Sequence, residues 1–140
     1  MLRLRSRPVD LPRQLADAIV QQALEDEPNE CCGILAGPNG GGVVKRYAMT
    51  NTQHSPYRYS MDGREMNTVL RDIDDQDWEL QVIYHSHTHS PAEPSKTDIG
   101  LATYPDSYYL IVSLLDKTNP DLRIFRIVDG EVSEEPVVIT

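Results

Sequence analysis

Cysteine is almost missing from this chain of 140 residues: there are two, Cys31 and Cys32, and they are adjacent. Neighbouring cysteines cannot frame a disulfide scaffold and lack the paired spacing of a zinc finger, so a reducing compartment fits. Basic residues are also few, with 13 Lys and Arg against 22 Asp and Glu. The resulting formal charge of -9 and a pI near 4.7 would repel a phosphate backbone, so nucleic acid is not an expected partner. No apolar run approaches the length of a membrane span, and the basic start Met1 to Arg7 is not followed by a stretch of signal-peptide length. A cytoplasmic protein without a membrane partner is expected. Leu2 and Leu4, alternating with Arg3 and Arg5, read as a half-buried edge strand. The glycine-rich stretch from Gly37 to Gly42 lacks the Lys-Ser or Lys-Thr ending of a phosphate loop and any dinucleotide spacing, which leaves it a turn.

What is present suffices for one core: 39% of residues are hydrophobic, and the length suits a single domain over 1–140. The spacing of Leu15, Ala18, Ile19 and Ala23 predicts a helix over 12–27, stopped by Pro28 and Asn29. Cys31 to Ala36 and Val43 to Met49 read as two strands joined by the glycine turn. Asp62 with Glu65 resembles a capping box before a second helix through Met66, Val69, Leu70 and Ile73, ending near Asp74 and Asp75. The acidic cluster at its end lacks the glycine and distal glutamate of a calcium loop and reads as a solvated surface. Val82 to Tyr84 is a short buried strand that delivers His85-Ser86-His87-Thr88-His89 at its end. Ser95 and Asp98 suggest another capping box, opening a third helix before Pro105. Tyr108 to Val112 and Leu122 to Val128 are strands, Asp129-Gly130 is a hairpin signal, and a last strand runs through Val132 and Val137 to Ile139. The mixture gives an α/β class with a mixed sheet.

On extended backbone, residues i and i+2 face the same way, so His85 and His87 can present two imidazoles to one metal. The loop from Ser90 to Pro94 is long enough to fold Asp98 back over the strand end. Two histidines, a carboxylate and a water form a coherent catalytic zinc set, in which the water's pKa falls from about 15.7 to about 7. Glu30 is a carboxylate able to carry a proton, although spacing alone does not select it from 22 acidic residues. Ser95 reads as a helix N-cap, a place compatible with donation to a carbonyl oxyanion. His89 reads as a rim residue, His54 as a surface residue, and the two cysteines as buried small hydrophobes.

His85-Ser86-His87, seven residues, Ser95, two residues and Asp98 resemble the JAMM (MPN+) metalloprotease signature in order and spacing. Glu30-Cys31-Cys32-Gly33-Ile34-Leu35-Ala36-Gly37 is independently similar to that family's strand Glu-x-Cys-Gly-x-Leu-x-Gly. The resemblance implies a JAMM/MPN, cytidine-deaminase-like fold whose mixed, mostly antiparallel sheet is flanked by helices. It also implies that His85, His87 and Asp98 bind Zn2+, that Glu30 is the general acid-base, and that Ser95 steadies the tetrahedral intermediate. Thr88 and His89 stand where the family often has proline, which alters the loop and not the ligand set. Met49-Thr50-Asn51, Leu101-Ala102-Thr103 and Phe125 to Gly130 extend the likeness to bacterial Mec-type peptidases. Those are understood to remove cysteine from the C-terminus of a small ubiquitin-like sulfur carrier ending in Gly-Gly, in cysteine biosynthesis. A homodimer is admitted as a second partnership.

Three other functions compete. A nucleobase deaminase would need His-x-Glu and Pro-Cys-x-x-Cys, and neither occurs. A non-catalytic MPN scaffold typically loses ligands of the signature, whereas all five residues stand here. An isopeptidase that removes a ubiquitin-like protein from lysine would use the same residues and differ in its substrate.

Overall fold

The computed structural model describes residues 9–140, and the strand expected at Leu2 and Leu4 lies outside them. In chain order these residues form β1 (Val9–Leu11), α1 (Arg13–Asp26), β2 (Cys32–Pro38), β3 (Lys45–Met49), α2 (Gly63–Asp75), β4 (Trp78–His87), α3 (Lys96–Leu101), β5 (Tyr108–Ser113), β6 (Asp121–Val128), β7 (Glu131–Glu135) and β8 (Val137–Ile139). Six strands make one sheet in the order β3-β2-β4-β5-β6-β7. β4 and β5 run parallel, with α3 in the connection between them, and the other neighbours are antiparallel. This is the mixed, mostly antiparallel sheet expected.

Strand alternation assigns the helices to faces. Val82 and Tyr84 of β4 join Leu35, Leu110, Val112 and Ile124 in a core closed by Ile19 and Ala23 of α1. The intervening residues point the other way: Ile34 and Ala36 pack on Ile73 of α2, and Ile83 with Tyr109 packs on Ile99 and Ala102 near α3. The sheet therefore lies between α1 on one face and α2 and α3 on the other. Gly33 sits opposite Tyr84 in the β2–β4 register, and a Cβ there would come within 2.2 Å of the tyrosine ring. Absence of a side chain at Gly33 is what admits Tyr84, whose hydroxyl reaches Gln22 of α1.

Two expectations change. β4 is longer than Val82 to Tyr84 and includes both histidines, because β2 and β5 pair with it on either side as far as His85 and His87. The single last strand divides at Pro136, which has no N–H for a ladder: β7 pairs with β6, and β8 pairs with β1 in parallel. The Asp129-Gly130 turn is as expected, with both residues at positive φ, 51° and 79°. No helix among the described residues is long and apolar enough to cross a membrane.

Candidate metal centre

The period of two along β4 sends His85 and His87 to the same face as Ile83, the face covered by α2 and α3. Both histidines are buried. Asp98 reaches them from the first turn of α3, where its Oδ2 lies 3.2 Å from His85 Nε2 and 3.0 Å from His87 Nε2. The two Nε2 atoms are 3.2 Å apart. Among the described residues these three side chains form a group able to hold a metal ion, with ligand atoms all within 4.8 Å of one another.

The capping box foreseen at Ser95 is what aims Asp98. Ser95 Oγ accepts from the Asp98 N–H at 3.0 Å, and the Ser95 N–H donates at 2.9 Å to the same Oδ2 that faces the histidines. One carboxylate thus both starts the helix and completes the cluster. The Ser95 oxygen is used as an acceptor, which leaves its own hydroxyl proton free, and the residue is exposed. At α2 the box is half made: Asp62 caps the Glu65 N–H, but Glu65 turns away to Thr50, whose N–H and hydroxyl it accepts at 2.9 and 2.6 Å.

The two imidazoles are held differently. His87 Nδ1 lies 2.7 Å from Pro91 O, which holds a proton on Nδ1 and turns Nε2 toward the cluster. His85 Nδ1 has no hydrogen-bond partner among the described residues. Its ring is instead stacked on Tyr59, with centroids 4.5 Å apart and planes 23° apart. Burial pushes the His85 imidazole below its ordinary pKa despite its bond to Asp98. His87 is also penalised by burial, but Asp98 and the Pro91 carbonyl more than offset this and raise it. Burial acts against the charged form of Asp98 as well, yet the hydrogen bonds with His85 and His87 hold its carboxyl well below the usual range.

Glu30 precedes β2, and the register explains its place. Cys32 pairs with His85, and the Ser86 N–H donates to Cys31 O, so the same antiparallel count continued brings Glu30 across from His87. Ser86, between the histidines and pointing to the opposite face, accepts from the Cys31 N–H at 2.7 Å and so ties the Glu30 segment to β4. Glu30 is 4% exposed and its Oε1 has no partner among the described residues. Burial pushes its carboxyl up to about 8, with His87 lowering and Asp98 raising it. A cation in the neighbouring cluster would draw it back toward ionisation. A cleft of about 400 Å³ opens beside it, lined by Gln22, Asp26, Asn29, Asn51 and His54 among others.

His89 is exposed beside Tyr57 and outside the cluster, as expected of a rim residue. His54 is exposed, and both cysteines are free and buried. Sequence reasoning missed Tyr59, Ser86 and Asn51. Ser86 lay between the two histidines and was accessible to the alternation rule, whereas nothing periodic marks the other two.

Two imidazole nitrogens and one carboxylate oxygen, close enough to the buried carboxyl of Glu30 for their charges to act on it, suit zinc: the donor set is of the catalytic kind. Fold and cluster together define a JAB-type domain, and the chain belongs to the prokaryotic homologs of the JAB domain, a family matched over residues 12–128. Among its relatives, a CysO-cysteine peptidase of Mycobacterium tuberculosis is 48% identical over 124 residues, 88% of this chain and 85% of that protein. A desampylase of Haloferax volcanii is 32% identical over 116 residues, 79% of this chain and 84% of that protein. The solution structure of a protein from Desulfitobacterium hafniense is 33% identical, spans 94% of this chain and 92% of that one, and superposes with a TM-score of 0.86. A JAB1/MPN domain protein from Archaeoglobus fulgidus shares the fold at 20% identity and a TM-score of 0.59, over 93% of this chain and 98% of that one.

Proposed function

We propose that this chain is a cytoplasmic zinc peptidase that releases cysteine from the C-terminal glycine of a small ubiquitin-like sulfur carrier, as a step in cysteine biosynthesis. The observation that carries the reading is the convergence of His85, His87 and Asp98 beside the buried, unpaired carboxyl of Glu30. The relative named CysO-cysteine peptidase supports the choice of substrate.

In this reading His85, His87 and Asp98 hold zinc. When bound, it supplies Lewis-acid polarisation of a carbonyl and a water that ionises near neutral pH. Glu30 accepts the proton of the attacking water and returns it to the amine of the leaving cysteine, as the new C–O bond forms and the C–N bond breaks. Its burial keeps bulk water from competing for that proton. The Ser95 hydroxyl, whose oxygen already takes the Asp98 N–H, donates its proton to the developing oxyanion. A carrier tail ending in Gly-Gly has no side chains to obstruct the approach of its carbonyl, and it can bind extended beside a strand.

Mass spectrometry of a carrier-cysteine adduct treated with zinc-loaded protein tests this reading. The expected product is the carrier shortened by one cysteine residue, with its body intact. Glu30→Gln should keep one zinc per chain and lose about a hundredfold or more in kcat, because an amide is nearly isosteric but takes no proton. An intact adduct together with cleavage of a lysine isopeptide would replace the carrier assignment with an isopeptidase. A normal kcat in Glu30→Gln would remove Glu30 from the chemistry.

A further inference from the structure

Glu30 lies outside β2, so the sheet alone does not fix it. Its backbone is gripped on both sides by the segment that joins β3 to α2. The Glu30 N–H donates to Ser55 O at 2.8 Å, and its carbonyl accepts from Asn51 Nδ2 at 3.0 Å. The same nitrogen donates to Arg58 O at 3.0 Å, while Asn51 Oδ1 accepts from the N–H groups of Gln53 and Ser60 at 3.0 and 3.2 Å. All four hydrogen-bonding positions of one amide are used, on a residue only 8% exposed. Asn51 also stands at the neck of the loop, in an isolated bridge with Met61. An aspartate would lack the two donations, and a serine could supply only one, so the position needs an amide.

We propose that Asn51 is a positioning residue for the reaction, one that sets the backbone of Glu30 and acts on turnover through it. The inference rests on the proton-carrying role proposed above for Glu30. A carboxyl displaced by about 1 Å can cost on the order of a hundredfold in rate, since proton transfer demands hydrogen-bond reach. Asn51 hydrogen-bonds none of His85, His87 and Asp98, but it also holds Arg58 and Ser60 on either side of Tyr59, whose ring stacks on His85, so zinc content separates a route through Glu30 from one through that stack.

The test is a double-mutant cycle of Asn51→Asp and Glu30→Gln in the full-length, zinc-loaded chain, with the carrier-cysteine adduct as substrate. Asn51→Asp keeps the size and both acceptor contacts, and turns the donating nitrogen into an oxygen that faces two carbonyls. Expected are a loss in kcat of about tenfold or more, a KM within about threefold, and one zinc per chain. In the Glu30→Gln background the same change should alter kcat by less than about twofold, because the two residues act as one unit. A kcat for Asn51→Asp within about twofold of the parent, an equal loss in both backgrounds, or loss of zinc would each overturn the proposal. If Asn51→Asp does not fold, Asn51→Ala enters the cycle under the same criteria. A Glu30→Gln chain with normal kcat would sink the underlying reading, and this one with it, and the single variant alone reveals that case.

Discussion

Glu30 and Asp98 are two carboxylates of one small site, driven apart by their surroundings. Burial without a partner pushes Glu30 up to about 8, whereas hydrogen bonds with two imidazoles overcome burial at Asp98 and keep it ionised. Such divergence is how neighbouring acids acquire different tasks, one as a fixed anion and one as a proton carrier. The histidines differ in the same spirit. His87 is oriented by a carbonyl, the common device for a metal-binding imidazole, but His85 has only the Tyr59 ring against its face. If that stack orients His85, then Tyr59→Ala should weaken zinc binding about tenfold, while Tyr59→Phe, which keeps the ring, should stay within about threefold. Competition with a chromophoric chelator measures both, and equal affinity of the alanine variant and the parent would show the stack to be idle.

At the scale of elements, the site is a junction of three: the end of β4, the first turn of α3, and the approach to β2. The motif around Glu30 serves the last of these with residues of distinct kinds. Gly33 lets Tyr84 lie flat across β2, and Gly37 lets the chain pass the Gly42 carbonyl, which a Cβ would meet at 2.1 Å. Gly33→Ala should therefore destabilise the chain by roughly 2–3 kcal/mol, the upper part of the range for overpacking, since a buried ring has no free volume into which to retreat. Urea denaturation reads this directly, and a midpoint unchanged from the parent would contradict the steric account. Much of this junction was legible in the sequence. Alternation placed His85 and His87 on one face, and the Ser95 box placed Asp98, because both rules are local. The loop bearing Asn51 and Tyr59 was not legible, since its shape depends on four bonds of one amide to backbone groups that no periodicity marks. The division of the last strand was missed for a related reason: Pro136 decides it, but the partner β1 is remote in sequence.

Over the whole molecule, the sheet buries groups that are neutral when folded and acidic when exposed, and this sets the direction in which stability responds to alkali. Burial pushes the thiols of Cys31 and Cys32 each up to about 12, and Cys32 Sγ lies 3.8 Å from Met49 O, where its proton can be donated. Burial raises the hydroxyls of Tyr84 and Tyr59 as well. In the unfolded chain thiols ionise near about 8.5 and tyrosines near about 10. Each group thus has a folded pKa above its unfolded value, so its stabilising effect is complete below the unfolded pKa and disappears as pH rises toward the folded one. From about pH 8.5 the thiols titrate first in the unfolded state, ahead of the tyrosines, each with a limiting slope of about 1.4 kcal/mol per pH unit. The melting temperature should fall from about pH 9 onward as the thiols titrate, and fall faster once the tyrosines join. Replacing both cysteines, Cys31→Ala with Cys32→Ala, should flatten the first part of that decline and leave the later part in place. Calorimetry across this range checks the assignment: parallel curves for the parent and the double variant between about pH 8.5 and 10 would mean that the thiols do not govern the alkaline limb.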